Sequence, residues 1–169
     1  MTLLHTKGNL LDLAEKGKFD IIVHGCNCQN TMGSGIAKEI RERYPEAYEA
    51  DTRMDQEFGA SHRYLKLGNY SQVNVYPCAG KFTIINAYTQ YNFNGSAING
   101  EVFNDVFEYD SFKLILQKLL HFYGNYDFGL PYIGMGLAGG DKDRIIAILE
   151  DFAEKVSAKG GSVTLVEFG

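Results

Sequence analysis

The chain has no tryptophan and only three cysteines among its 169 residues. Cys26, Cys28 and Cys78 are an odd number and too few for a disulfide framework, which fits a reducing compartment. No apolar run approaches the roughly 20 residues that a membrane-spanning helix needs. Met1-Thr2-Leu3-Leu4-His5 is followed by polar sequence rather than by the apolar core of a signal peptide. A cytoplasmic protein without a membrane partner is expected. Basic residues are outnumbered, 16 Lys and Arg against 21 Asp and Glu, for a formal net charge of −5. Nucleic-acid binders show a basic patch or stripe, so direct nucleic-acid binding is not expected. In so acidic a chain, a bound phosphate must be held by local donors such as backbone N–H groups. No internal repeat, low-complexity tract or linker divides the sequence. Its length suits one domain over residues 1–169, and a monomer is expected.

Eleven Tyr and eleven Phe are available to fill a core, and many of the 19 Gly fall into two clusters. Leu3 to Lys7 reads as a short strand, broken by Gly8-Asn9, with a helical turn from Leu10 to Glu15. Phe19 to His24 has a β-branched apolar centre and reads as a buried strand. The first glycine-containing loop spans Gly25 to Gly35. Ile36, Ile40 and Tyr44 then recur at helical spacing, and Pro45 opens a second helix to about Met54. Tyr70 to Tyr76 and Lys81 to Tyr88 read as a hairpin around Pro77-Cys78-Ala79-Gly80. Asn92 to Asn104 reads as a polar, mobile loop. Asp110-Ser111 is placed to cap a helix reaching Tyr123. Asp127 to Ile133 reads as a strand, which Pro131 assigns to an edge or a strand end. After the second loop, Gly134 to Gly140, Asp141 caps a helix whose apolar face is Ile145, Ile148, Leu149, Phe152 and Val156. Ser162 to Phe168 closes the chain as a strand. Strands alternating with helices around one hairpin predict an α/β fold of three layers with a central mixed β-sheet.

Both glycine loops follow a strand and precede a helix, and ligands of such sheets sit at the carboxyl ends of strands. The first constellation is His24-Gly25-Cys26-Asn27-Cys28 with Met32-Gly33-Ser34-Gly35-Ile36-Ala37. A helix that begins just after glycines presents unpartnered N–H groups, for which an anion is the natural guest. The bland alternative is a tight strand-to-helix turn. The second is Ile133-Gly134-Met135-Gly136-Leu137-Ala138-Gly139-Gly140-Asp141, which matches G-x-G-x-x-G. The dinucleotide unit also needs an acidic residue at the end of the next strand, roughly 20 residues on. Asp151 falls inside the expected helix and Glu167 lies too far along, so a phosphate-facing loop is retained and a nicotinamide enzyme is not.

A cysteine phosphatase needs an arginine closing its phosphate loop, and none follows Cys28 before Arg41. Zinc is disfavoured because C-x-C is too short a spacing and no second half follows, so neither a metal nor a cofactor is expected. His24 is either a satisfied core histidine or an imidazole presented to a ligand at the rim. Asn9 reads as a turn residue or as an amide facing a base. Asp141 is a helix cap first and a catalytic carboxylate second. Tyr88, Tyr91, Phe93 and Phe168 are aromatic candidates for stacking, with core packing the commoner fate.

Taken in this order, these segments resemble the macrodomain family, whose members bind ADP-ribose, and the resemblance runs over essentially the whole chain. Lys7-Gly8-Asn9-Leu10 is similar to the family's adenine-reading segment, and His24 to Asn27 to its strand-end segment. Met32 to Ala37 and Ile133 to Gly139 are similar to its two phosphate loops. His-x-Cys-Asn-Cys followed by Gly-x-Gly-Ile-Ala is closest to the branch that dephosphorylates ADP-ribose 1''-phosphate. Asn9 stands where aspartate is frequent, keeping a carbonyl acceptor but losing a charge. Ala87-Tyr88-Thr89-Gln90-Tyr91 lacks the lysine of the branch that removes ADP-ribose from glutamate, and Ala138 stands where that branch has aspartate. The resemblance implies a macrodomain-like α/β/α fold and a small-molecule substrate, ADP-ribose 1''-phosphate, hydrolysed to ADP-ribose and phosphate; with no metal motif in the sequence, hydrolysis without a metal is expected. The resemblance makes His24 the leading catalytic candidate. From the residues themselves, Asn27 is the candidate for positioning the distal ribose and Asp141 a second candidate base. Ligand contacts are implied at Gly8, Asn9, Leu10, Gly25, Cys26 and Asn27, along Met32 to Ala37 and along Ile133 to Gly139. A non-catalytic ADP-ribose binding module and a hydrolase acting on ADP-ribosylated macromolecules are the alternatives.

Overall fold

The computed structural model describes residues 2–29, 32, 35–77, 80–91, 97–98, 101–102, 107–134 and 139–168. In chain order the elements are β1 (Leu3–Gly8), α1 (Leu10–Glu15), β2 (Ile21–Asn27), α2 (Gly35–Arg43), α3 (Pro45–Phe58), a 3-10 helix (Ala60–Lys66), β3 (Tyr70–Val75) and β4 (Phe82–Gln90). The two-residue strands β5 (Ala97–Ile98) and β6 (Glu101–Val102) follow. Then come α4 (Tyr109–Tyr123), β7 (Asp127–Leu130), α5 (Lys142–Ala158) and β8 (Ser162–Phe168).

Six strands form one sheet in the order β1-β8-β7-β2-β4-β3. All neighbours are parallel except β3, which runs antiparallel to β4. The sheet is mixed, as expected, and the β3–β4 hairpin supplies the antiparallel pair. Period-2 alternation sends adjacent residues of β2 to opposite faces. Ile21 and Val23 join a core with Phe112, Ile115 and Leu119 of α4 and Leu149, Phe152 and Val156 of α5. Ile22 joins a second core with Leu11 of α1, Ile40 of α2 and Ala47 of α3. Helices thus cover both faces, α4 and α5 on one and α1 to α3 on the other. That is the three-layer arrangement predicted from the alternation of elements.

Three local expectations change. The strand expected to end at His24 continues through Gly25 and Cys26 to Asn27, because β4 pairs with it along that length. The strand expected from Asp127 to Ile133 is shorter: β7 lies between β8 and β2 and ends at Leu130, so of the edge and the strand end that Pro131 allowed, the strand end is found. Helix α4 starts at Tyr109 after Glu108, not from an Asp110-Ser111 cap. The 3-10 helix is an element that periodicity did not reveal. Cys78 and most of the segment from Asn92 to Asn104 lie outside the described residues.

Candidate functional site

Because β1, β8, β7, β2 and β4 are parallel, their carboxyl ends share one rim. From β2 the chain leads into α2 on one face of the sheet, and from its neighbour β7 into α5 on the opposite face. Connections that diverge from adjacent strands leave a crevice between them, the place where open α/β sheets bind ligands. The described ends of the two glycine loops flank this crevice. They meet at Gly25, where an added Cβ would lie 3.1 Å from the Ile133 side chain and 3.0 Å from the Thr89 hydroxyl.

Loop one is anchored from below. Met32 is buried among the α1–α3 core residues, with φ at 40°. Its side chain therefore holds the loop down and leaves only its backbone for a ligand. Helix α2 begins at Gly35 and has no acidic residue in its first turn, so its N-terminal dipole is not neutralised there. Gly35 and Ile36 face Gly8, Asn9 and Leu10 across a groove of about 380 Å³, completed by Glu39, Pro131, Val166 and Phe168. Asn9 caps α1: its Oδ1 accepts from the Asp12 N–H at 3.0 Å. Its Nδ2 donates to Glu39 Oε1 at 2.9 Å.

Loop two is pinched at its base, where the Gly140 N–H donates to the Gly134 carbonyl at 2.7 Å. Asp141 is the expected cap of α5, its side chain accepting from the Arg144 N–H at 3.1 Å. Its own N–H donates to the Tyr109 hydroxyl at 2.8 Å, and the Arg144 guanidinium lies 3.8 Å above the Tyr109 ring. These contacts seat the loop on α4. Gly33, Ser34, Met135, Gly136, Leu137 and Ala138 lie outside the described residues.

His24 is not where a strand-end reading puts it. With β2 running to Asn27, His24 and Cys26 share the face of Ile22, and Gly25 and Asn27 point the other way. The imidazole is fully buried. Asn86 Nδ2 donates to the Ala47 carbonyl and to Ser71 Oγ, so Asn86 Oδ1 is the acceptor for His24 Nε2–H at 2.6 Å. The hydrogen-bond chain continues from Ser71 to Tyr88 and from Tyr88 Oη–H to Asp51 Oδ1 at 2.7 Å. Lys66 Nζ reaches the same oxygen at 2.9 Å. The His24 nitrogen that carries the proton is thus engaged in a core network and does not face the crevice. That corrects the rim expectation in favour of the satisfied core histidine.

Burial lowers the His24 pKa below its ordinary 6.5, with the Asn86 hydrogen bond and the Asp51 charge opposing it more weakly. Burial raises the Cys26 thiol well above its usual range and pushes Cys28 up to about 12, so both cysteines are neutral core groups, not nucleophiles. The linkage has a definite sign. The unfolded chain takes up a proton at His24 near pH 6.5 and the folded chain only at a lower pH. Stability should therefore fall as the pH drops below 6.5, by at most about 1.4 kcal/mol per unit from this group. Urea melts between pH 5 and 7 on wild type and His24→Asn check this. A slope equal in the two proteins would remove His24 as its source.

The structure therefore brings Gly8, Asn9, Leu10, Gly35 and Ile36 to one groove, with Gly25 and Ile133 where the loops meet. Asn27 ends β2 beside Gln90, half-buried, with its Oδ1 accepting from the Gln29 N–H. Gly139 ends the second loop with φ at 72°, and Ala37 packs on the α1–α3 core. Cys26 and Tyr88 belong to a buried cluster and do not face the rim, whereas Phe168 lines the groove and is 80% exposed. Phe93 lies outside the described residues. Glu39, Pro131 and Val166 were not anticipated. Glu39 sits one helical turn after Gly35, on the Ile36 side, and that spacing was the available clue. Thr89 was also missed as a polar group. Cys26 pairs with Tyr88 and Asn27 with Gln90, so Thr89 is the extra residue of a bulge. Its buried hydroxyl has no hydrogen-bond partner among the described residues.

No family model matches the chain. An uncharacterised 17.5 kDa protein of Enterobacteria phage T4, from the tk-vs intergenic region, is 33% identical over 160 residues, covering 92% of this chain and 93% of that protein. An ADP-ribose 1''-phosphate phosphatase of Saccharomyces cerevisiae is 25% identical over 182 residues, covering 92% of this chain and 95% of the yeast protein. Among solved structures, the macrodomain of Mycobacterium tuberculosis DarG superposes with a TM-score of 0.74 at 19% identity, over 97% of this chain and 96% of that one. The chain has the macrodomain fold, and it belongs to one family with the phage T4 17.5 kDa protein.

Proposed function

We propose that this protein binds an ADP-ribose-type nucleotide across the β2–β7 crevice and hydrolyses its 1''-phosphate ester. The observation that carries this reading is the pair of glycine turns opening from neighbouring strand ends toward opposite faces. Such turns offer a diphosphate backbone N–H donors from two sides, which suits a chain with a net charge of −5. The activity named for the yeast relative supports the choice of phosphate ester.

In this reading Asn27, at the end of β2, positions the distal ribose. Water attacks the phosphorus, the bond from phosphorus to the anomeric oxygen breaks, and that oxygen leaves protonated as the hydroxyl of ADP-ribose. Amides of the two loops stabilise the charge that develops on the phosphoryl oxygens. His24 is a positioning residue, holding β2 through Asn86 rather than touching substrate. Asp141 seats loop two by capping α5.

Phosphate release from ADP-ribose 1''-phosphate in metal-free buffer, beside a calorimetric titration with ADP-ribose, tests the proposal. Release by the wild type is expected. Asn27→Ala should lower turnover on the order of 100-fold, the cost of mispositioning a reacting group by about 1 Å. Tight ADP-ribose binding without phosphate release would instead establish the second reading, a binding module. One observation favours that reading: His24 is buried in the core with its Nε2–H donated to Asn86, and an Asp141 oxygen is held as a helix cap, so neither candidate base is presented to the crevice as a free group.

A further inference from the structure

The groove at the ends of β1 and β8 has apolar walls and one ionised group. Leu10, Ile36, Pro131, Val166 and Phe168 supply the walls. Among its described lining residues, Glu39 alone carries a charge. The volume of about 380 Å³ lies at the small end of the range for ligand pockets, and suits one heterocycle with its sugar. The strongly exposed Phe168 ring provides a face on which a planar base stacks.

Asn9 is poorly placed to read such a base by itself. The Asp12 N–H occupies Oδ1, which fixes the orientation of the amide and turns Nδ2 onto Glu39. Glu39 is held in turn. Its Oε1 receives Asn9 Nδ2 at 2.9 Å and Arg43 Nη2 at 3.3 Å, and Arg43 is tied to Asp12 and Glu15. Both contacts fall on one oxygen. Oε2 has no hydrogen bond or ion pair among the described residues. The result is an immobilised carboxylate at an apolar groove, with accepting capacity left and no proton to donate.

We infer that Glu39 determines which base the nucleotide carries, accepting a hydrogen bond from the exocyclic amine of a 6-aminopurine and repelling the carbonyl of a 6-oxopurine. Asn9 is its positioning residue. The assignment rests on the nucleotide reading of the site, and it supplies from α2 the negative charge that Asn9 lacks. Glu39 is only partly buried, and a bound base would cover it; a site built to accept from an amine then rejects the analogue without one, because the covered acceptor is left unpaired.

Two pairs of ligands test this on wild type and Glu39→Gln: ADP-ribose against its hypoxanthine analogue by calorimetry, and adenosine against inosine by NMR titration. The wild type should prefer the adenine member of each pair by about 10- to 100-fold. Glutamine still accepts from Asn9 but can also donate to a 6-oxo group, so the preference should shrink to a few-fold or invert. Thermal melting confirms that the variant folds, and Asn9→Ala, which releases the carboxylate, should weaken the preference without inverting it. An undiminished preference in Glu39→Gln, or none in the wild type while ADP-ribose binds, overturns Glu39 and leaves the nucleotide reading standing. Preference for adenosine without ADP-ribose binding does the reverse. Failure to bind any of the four overturns both.

Discussion

Replacing Lys66 with methionine is expected to remove about 3–5 kcal/mol of folding stability, the size of loss found when one partner of a buried ion pair is deleted. Lys66 and Asp51 are 0% and 1% exposed, so neither charge is shared with water. Lys66 Nζ lies 2.9 Å from Asp51 Oδ1 and 4.4 Å from the centre of the Tyr88 ring. Methionine keeps most of the volume and the flexible stem, so little of the loss comes from packing. It comes from the Asp51 carboxylate, left with the Tyr88 hydroxyl as its hydrogen-bond donor among the described residues. Asp51 Oδ2 has no hydrogen-bond partner among them even before the change. Adding Asp51→Asn to Lys66→Met should recover much of the stability, because the uncompensated charge is then gone. Urea melts of the two single variants and the double give the coupling energy directly. A loss under about 1 kcal/mol for Lys66→Met would mean that the pair is not sealed from solvent. The pair also concerns the site. The hydrogen bonds from Asp51 through Tyr88, Ser71 and Asn86 end on His24, three residues before β2 reaches the rim.

Nothing in the sequence marks that ion pair. Asp51 and Lys66 are 15 residues apart on different helices, and charged residues are taken as exposed until a fold says otherwise. Asp141 was legible because a cap sits immediately before an apolar period and needs no tertiary information. The same holds for Ile145, Leu149, Phe152 and Val156, all buried in α5. His24 shows how one boundary misplaces a side chain. Gly25-Cys26-Asn27 looks like loop by residue type, yet β4 pairs with it and keeps it extended. Once the strand runs to Asn27, alternation puts His24 with Ile22 and Cys26, away from Gly25 and Asn27. Pro131 left an edge or a strand end open, and the strand end is what forms, since proline forbids a ladder bond but does not say where in the sheet the strand lies. The rim itself was readable from two glycine loops in strand-to-helix positions. The groove that Glu39 completes was not, because it joins α2 to β1 and β8, whose adjacency only the sheet order sets.

Gly134→Ala is expected to weaken nucleotide binding by about 10- to 100-fold, the loss of about 1.5–3 kcal/mol when a hydrogen bond to a charged group is broken, because it moves the loop that the proposed diphosphate rests on. Two separate effects act at this position. Its φ of +75° is in the left-handed region, where a Cβ costs about 1–2 kcal/mol. The added carbon would also lie 2.5 Å from Cδ1 and Cε1 of Phe107. That ring cannot simply swing away, being buried and packed edge-on against Tyr109 and Phe112 at 5.3 and 5.5 Å. The strain must therefore pass into the backbone, where the Gly134 carbonyl holds the Gly140 N–H and closes the loop. Overpacking of this kind costs about 1–3 kcal/mol, so the stability loss should be about 2–5 kcal/mol in all. Gly17→Ala separates the two effects. Gly17 has a φ of +84° but nothing within 4 Å of an added Cβ, and it lies in the turn after α1, which does not line the crevice. That variant should lose only the backbone contribution, about 1–2 kcal/mol, and bind ADP-ribose as the wild type does. Calorimetric titration and urea melts of both variants decide the matter. If Gly134→Ala loses its stability as expected yet binds normally, the collision with Phe107 stands and loop two does not hold the nucleotide. If it loses neither, the Phe107 ring yields where its neighbours should keep it fixed.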